Sequence, residues 1–296
     1  MRRMGRDRVD PGQLVLQPRD VHFDWSGLPL VWIPGEPVAS HTFNVLHLLL
    51  PEMEPWFVTV FNRTLPLIRD EALREDVLGF IAQETIHAQA HQEVLDYFGE
   101  HGLDARPYVS QMEWLFRHLL GARAEQGSAQ AHRELIEHVA MVAAIEHFTA
   151  FIGDWILHSP GLDAAGANPV MLDLLRWHGA EEVEHRNVAF DLLVHLDPRY
   201  SLRIRAMALA GPLLYFLWAR GARFMVASDP GLDRRIKFTW PRYTAAARRG
   251  LLPPTWAAIK SGSLYLRRDY HPSQEFSTRL AAAYLGTSPA ARDARR

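Results

Sequence analysis

Two short stretches carry residue types and spacings that could do chemistry. "QETIHAQAH", residues 83–91, places His87 three residues after Glu84 and His91 four further on. "WHGAEEVEH", residues 177–185, holds two histidines and three glutamates in nine positions. On a helix each residue advances by about 100°, so Glu84, His87 and His91 fall within about 60° of one face. His178, Glu182 and His185 do the same, with Glu181 at the edge of the arc and Glu184 pointing well away. Both stretches sit in largely apolar surroundings, where charge is costly unless it is paired or bound to metal. Carboxylates and imidazoles sharing one helix face under those conditions point to metal ligation.

One Glu-x-x-His pair means little, but two on separate long helices, Glu84/His87 and Glu182/His185, are far more specific. A ferritin-like dinuclear carboxylate bundle combines two such helices with one Glu from each of two others. That rule asks for two further glutamates. "MVAAIEHFTAFIGDWIL" supplies Glu146 in mid-run, with His147 pointing about 100° away. "LLLPEMEPWF" offers both Glu52 and Glu54, and spacing does not choose between them. The order Glu, Glu-x-x-His, Glu, Glu-x-x-His then follows the four helices of such a bundle. His178 is a third-histidine ligand or a support, and His91 is a support or a satisfied core histidine. Glu181 either fixes a ligand histidine's tautomer or plays a plain surface or helix-pair role. Glu184 is expected to be solvated on Arg186's side of the helix. Asp154 and Asp191 either orient ligand histidines or play structural roles, and Trp114, Trp155 and Trp177 are expected in the core.

Five long helices are expected to position these groups, at about 41–68, 71–98, 131–158, 169–196 and 201–227. Gly99 and Gly102 end the second, "HSPGLDAAGANP" loops between the third and fourth, and Asp197-Pro198 ends the fourth. A short helix is expected around "QMEWLFRHLL", followed by a Gly/Ser/Gln loop. Shorter helices follow at about 254–267 and 273–285, and the end "TSPAARDARR" reads as frayed. The pattern predicts an all-α, ferritin-like four-helix bundle. It divides the chain into an irregular N-terminal arm (1–40), the bundle with its dinuclear site (41–227) and a C-terminal helical extension (228–296). The 296 residues carry a net charge of −2, which gives no global nucleic-acid footprint. There is no cysteine, excluding disulfides, thiolate metal sites and a cysteine nucleophile. "MRRMGRDRVDPGQ" has no apolar core of a secretory signal. "AMALAGPLLYFLWA", residues 206–219, is uncharged for only fourteen residues, and a spanning helix needs about 20. It is expected to be a buried or interface helix, with shallow membrane contact as the alternative.

The pieces "GLPLVWIP", "FIAQETIHAQAHQ", "AAIEHFTAF", "WHGAEEVEHRNVAFD" and "RRDYHPSQ" resemble the proteins catalogued as predicted metal-dependent hydrolases, a bacterial branch of the ferritin-like superfamily. They span about residues 20 to 275. In such proteins the first-helix Glu precedes an x-Phe-Phe-like run. "MEPWF" matches at Glu54, with Met53 in place of a Gly and Trp56 in place of the first Phe, which favours Glu54 over Glu52. Pro55 departs from that pattern and restricts the backbone at Glu54. A more distant resemblance, confined to the ligand set, is to the di-iron N-oxygenases of aryl amines. Their third His ligand precedes the second Glu-x-x-His by four residues, the place of His178.

The expected metal ligands are therefore Glu54, Glu84, His87, Glu146, His178, Glu182 and His185. Carboxylates and imidazoles without thiolate suit two iron ions, with manganese or zinc as alternatives. The leading expectation is a non-haem di-iron oxygenase or oxidase acting with O2 on a small, rather apolar organic substrate. A dinuclear metal-dependent hydrolase is the alternative, and a metal storage or sensing protein the second. A cytoplasmic location is expected, with no nucleic acid and no transmembrane segment. Peripheral membrane contact through 206–219 and a homodimer are left open.

Overall fold

Helix starts follow from local chemistry. The structure, a computed structural model, describes residues 16–121, 127–276 and 278–294. From the amino end, α1 (Pro37–Phe43) and α2 (Val45–Thr64) meet at Asn44. The helix α3 (Glu71–Glu100) opens on Asp70, whose carboxylate accepts from the backbone N–H groups of Ala72 and Leu73. After α4 (Arg106–Glu113) comes a wider π-helical segment, Trp114–Leu119, and then α5 (Ala129–Leu157), capped by Ser128. A short α6 (Pro160–Ala164) precedes α7 (Pro169–His185), whose cap Asn168 accepts from Val170 and Met171. These caps satisfy amide donors that the first helical turn leaves unpaired. The chain continues through α8 (Val188–Leu196), α9 (Tyr200–Ser228), α10 (Trp240–Arg248), α11 (Thr255–Tyr265), α12 (Thr278–Leu285) and α13 (Pro289–Asp293).

The protein is an all-α helical bundle, with no strand among the described residues. At its centre α2 packs along α3, and α5 packs along α7 and α8. The two pairs face each other through α2 against α5 and α3 against α7 and α8. Outside this core α9 lies on α5 and α1, α11 on α5, and α12 and α13 on α7. The α5–α7 contact is backbone to backbone. A Cβ built on Gly153 would lie 2.5 Å from the Gly179 carbonyl oxygen and 2.7 Å from its Cα.

Several expected boundaries shift. The first long helix divides at Asn44 and ends as a 3-10 turn, Leu65–Leu67. The fourth is broken after His185, where Arg186 and Asn187 form a turn before α8. The loop after α5 contains α6, helix α10 had no expectation, and the supposedly frayed end forms α13, capped by Ser288. Trp177 is fully buried, but Trp114, expected in the core, is exposed at the start of the π-helical segment. The reading of residues 1–13 as lacking a secretory signal lies outside the described residues. By length and composition alone, α5 and α9 are long and apolar enough to cross a membrane. The apolar window of α5 is 67% buried within the protein and that of α9 is 39% buried.

Candidate metal centre

The four core helices aim their acidic and imidazole side chains at one interior volume. Glu54 comes from α2, Glu84 and His87 from α3, Glu146 from α5, and His178, Glu182 and His185 from α7. All seven are buried. They form two groups in which one donor atom per residue lies within 4.8 Å of the others. One is Glu54, His87, His178 and Glu182; the other is Glu84, Glu146, Glu182 and His185. Glu182 belongs to both. Glu52, the alternative on α2, instead turns outward and pairs with Arg117 at 2.8 Å. Glu54 is helical despite Pro55, which lies on the exposed side of α2 while Glu54 lies on the buried side.

Distances within the groups are short but poorly matched to hydrogen bonding. His185 Nε2 stands 3.2 Å from Glu84, 3.2 Å from Glu146 and 3.5 Å from Glu182. One ring nitrogen cannot donate to three carboxylates. Donors bound to one ion at about 2.0–2.2 Å stand roughly 3 to 3.5 Å apart. His87 Nδ1 lies 3.6 Å from Glu84 and 3.7 Å from Glu182, and His178 Nε2 lies 3.6 Å from Glu54. Both oxygens of Glu54, Glu84 and Glu146, one oxygen of Glu182, His87 Nδ1 and His185 Nε2 are buried without a hydrogen-bond partner. Nine such atoms converging on one volume fit a cation there. Nearly all buried polar groups in proteins find partners.

The outer side of each histidine is anchored. His87 Nε2 donates to Glu181 at 2.9 Å, leaving Nδ1 facing inward. His185 Nδ1 donates to the Gln83 side-chain oxygen at 3.1 Å, leaving Nε2 facing inward. His178 Nδ1 bonds to His91 Nε2 at 2.6 Å, and His91 Nδ1 bonds to His47 Nδ1 at 2.8 Å. His178 Nε2 lies 2.7 Å from Glu182. Such outer partners fix the tautomer and ring orientation of metal-binding histidines. A second tier holds these partners. Arg19, on the arm before α1, bonds Glu181 at 2.5 Å and Glu184 at 3.0 Å, and Gln83 donates to Glu184 at 3.0 Å.

The electrostatics are those of crowded, desolvated acids. Burial, then repulsion from Glu182, pushes Glu84 up to about 8. Burial followed by repulsion from neighbouring glutamates raises Glu54 and Glu146 well above the carboxylate range. Burial also opposes ionisation of Glu182, but His185 and the His178 hydrogen bond outweigh it and hold Glu182 well below. Burial disfavours charge on His185 too, yet Glu182 and Glu146 keep it protonated well above the usual imidazole range. The cluster thus favours charge on Glu182 and His185 and protonation of the other three acids, as crowding without a cation would.

Other expectations resolve differently. Glu184 is not solvated: its side chain is 7% exposed and it pairs with Arg19. His91 is a link between His47 and His178. The Asp154 carboxylate lies 3.4 Å from His158 Nδ1, which donates to the Asp154 backbone carbonyl, and Asp191 pairs with His271 at 2.8 Å. His147 turns away to Ser261 and Tyr270, at 2.9 Å each. Sequence reasoning missed His47, Gln83 and Arg19. His47 was within reach, since it stands seven residues before Glu54 and so on the same helix face.

Beside the centre lies a cavity of about 470 Å3 with an almost wholly apolar lining. Leu50, Met53, Ile145 and Thr149 line it, each within one turn of Glu54 or Glu146. A family model described as predicted metal-dependent hydrolase matches residues 17–275, most of the chain. No curated protein and no solved structure matches it.

Proposed function

We propose, from the premise that the chain belongs to the family of predicted metal-dependent hydrolases, that this centre holds two metal ions and hydrolyses a small organic substrate. The carrying observation is the set of nine buried, unpartnered donor atoms on Glu54, Glu84, His87, Glu146, Glu182 and His185. Glu54, His87, His178 and Glu182 would hold one ion, and Glu84, Glu146, Glu182 and His185 the other. When bound, such ions acidify a water molecule and polarise a carbonyl or phosphoryl oxygen. The chain's own groups do the rest. Glu181, Gln83 and His91 keep the inward nitrogens of His87, His185 and His178 aimed at the centre. The 470 Å3 chamber, within the range of about 300–1,000 Å3 for small-molecule pockets, takes the apolar part of the substrate.

A second reading, oxidation of the substrate with O2 at two irons, draws on a specific observation. The donor set is four carboxylates and three imidazoles, a composition that suits iron or manganese. The chamber beside it also offers few polar groups to seat an ester or amide.

Metal analysis of protein grown with iron, manganese and zinc should give close to two ions per chain. Glu54→Gln should lose metal where Glu52→Gln keeps it. Zinc- or manganese-loaded protein should cleave activated esters or amides. If it is inert, and Fe(II)-loaded protein instead consumes O2 with a transient visible band, the second reading replaces the first. A chain that retains no metal from any medium refutes both.

A further inference from the structure

We propose that the face built by α9, α10 and α11 docks on an anionic lipid bilayer, with the mouth of the apolar chamber against the membrane. The substrate then enters as an uncharged, apolar molecule dissolved in the lipid. That last step rests on the metal-centre reading above; the docking itself does not.

The chamber has a floor and a rim. Its floor is the wall of α2 and α5 beside Glu54 and Glu146, and its rim includes Tyr215 of α9, Trp240 and Tyr243 of α10, and Ile259 of α11. Ile259 is 69% exposed although it lines the cavity. Tyr215 stacks flat on Trp240, with an interplanar angle of 2°. Beyond the lining, Leu209 and Phe216 on α9 and Trp256 on α11 are also exposed, Phe216 at 60% and Trp256 at 65%. Single exposed apolar residues are ordinary, but a set gathered around the mouth of an apolar cavity marks an interaction site. Tryptophan and tyrosine are the residues favoured at the lipid headgroup level.

Charge selects the occupant. Between Tyr200 and Tyr265 the chain carries nine Arg and two Lys but only two acids, Asp229 and Asp233, in a protein whose net charge is −2. Three of the cations neighbour the rim: Arg223 lies over the ring of the cavity-lining Phe238, Lys237 precedes Phe238, and Arg242 precedes Tyr243. All three are exposed, and none has an acidic ion-pair partner among the described residues. Basic residues around exposed aromatic and aliphatic groups fit a surface that is anionic outside and apolar within. A second copy of this face would bring like charges together. The aliphatic Leu209 and Ile259 gain nothing against nucleic-acid phosphates. A spanning α9 is disfavoured because the helix packs on α5, α1 and α2 and 39% of its apolar window is buried against the protein, so a lipid-facing span would strip it from the bundle.

The test uses the full chain and vesicles of phosphatidylcholine, alone or mixed three to one with phosphatidylglycerol. The expected result is sedimentation with the mixed vesicles only, reversed by about 0.5 M salt as the charges are screened. Phe216→Ser/Trp256→Ser and Lys237→Glu/Arg242→Glu, all at exposed positions, should each cut the bound fraction roughly tenfold. Circular dichroism should show their helices intact. Equal binding to phosphatidylcholine alone overturns the proposal, as does retention on RNA in place of vesicles. So does a dimer that Phe216→Ser/Trp256→Ser dissociates while vesicles go unbound. Association that survives both high salt and alkaline carbonate would make α9 an inserted helix and also overturn it. Vesicle binding needs no metal, so a failure of the metal-centre reading shows in the metal analysis and not here.

Discussion

Glu54, Glu84 and Glu146 are acids that burial makes reluctant to ionise, and this sets the pH behaviour of the centre. Glu84 is pushed up to about 8, and Glu54, Glu146 and His185 are all shifted well toward their protonated forms. A cation binds only the deprotonated donors, so binding must expel protons. Zinc titrations in buffers of different ionisation enthalpy should show net proton release at pH 6 to 7. The release should shrink, and the apparent affinity rise, as pH climbs to about 8. Linkage has a matching sign for the metal-free protein. These acids, and His185, have folded pKa values above their unfolded ones, so the folded state holds more protons than the unfolded state. The stability tied to them falls as pH rises through that window. Glu182, held low, contributes the opposite slope, but at pH values below its ordinary 4.5. His47, His91, His147 and His178, all lowered by burial, also give the opposite slope, up to about their unfolded 6.5, so above that, between about pH 7.5 and 8, the melting temperature of the metal-free protein should drop, and added metal should reverse the trend.

At the level of elements, the two glycines between α5 and α7 set the spacing of the centre. The Cβ of Gly153→Ala would press on backbone atoms of Gly179, which cannot rotate away. Overpacking of this kind costs about 1–3 kcal/mol. It also parts Glu146 on α5 from Glu182 and His185 on α7, so metal content should fall together with the melting temperature. Gly211→Ala is the control, since its Cβ would meet the Phe148 ring at 3.7 Å and Met207 Sδ at 4.0 Å, both ordinary contacts. Helical periodicity made the face of Glu84 and His87, and of Glu182 and His185, legible from sequence, because 100° per residue fixes which side chains share a side. It also isolated Glu146 as a lone acid in an apolar run. Periodicity is silent about partners distant in sequence. Glu184 was assigned to solvent because its angle is right for the outside of an isolated helix, while the arm bearing Arg19 covers that side. The break at Arg186 and Asn187 carries no Gly or Pro, so nothing local announced it.

For the molecule as a whole, the irregular arm before α1 is part of the centre's support. Among the described residues Arg19 is the one arginine or lysine paired with both Glu181 and Glu184. Arg19→Met should leave the helical content unchanged yet weaken zinc binding, by less than the roughly 10- to 100-fold that losing Glu181, the direct partner of His87, would cost. If equilibrium dialysis finds affinity unchanged, the arm is packing alone. One further consequence follows from the position of Glu182. Its Oε1 lies 2.7 Å from His178 and its Oε2 3.5 Å from His185, so a single carboxylate serves both groups. Two positions that share a donor cannot fill independently. Occupancy of the first fixes the orientation and charge of Glu182 and so alters the free energy of filling the second, and the reverse holds by the same amount. In a metal titration of this protein the affinity for the second ion should therefore depend on occupancy of the first.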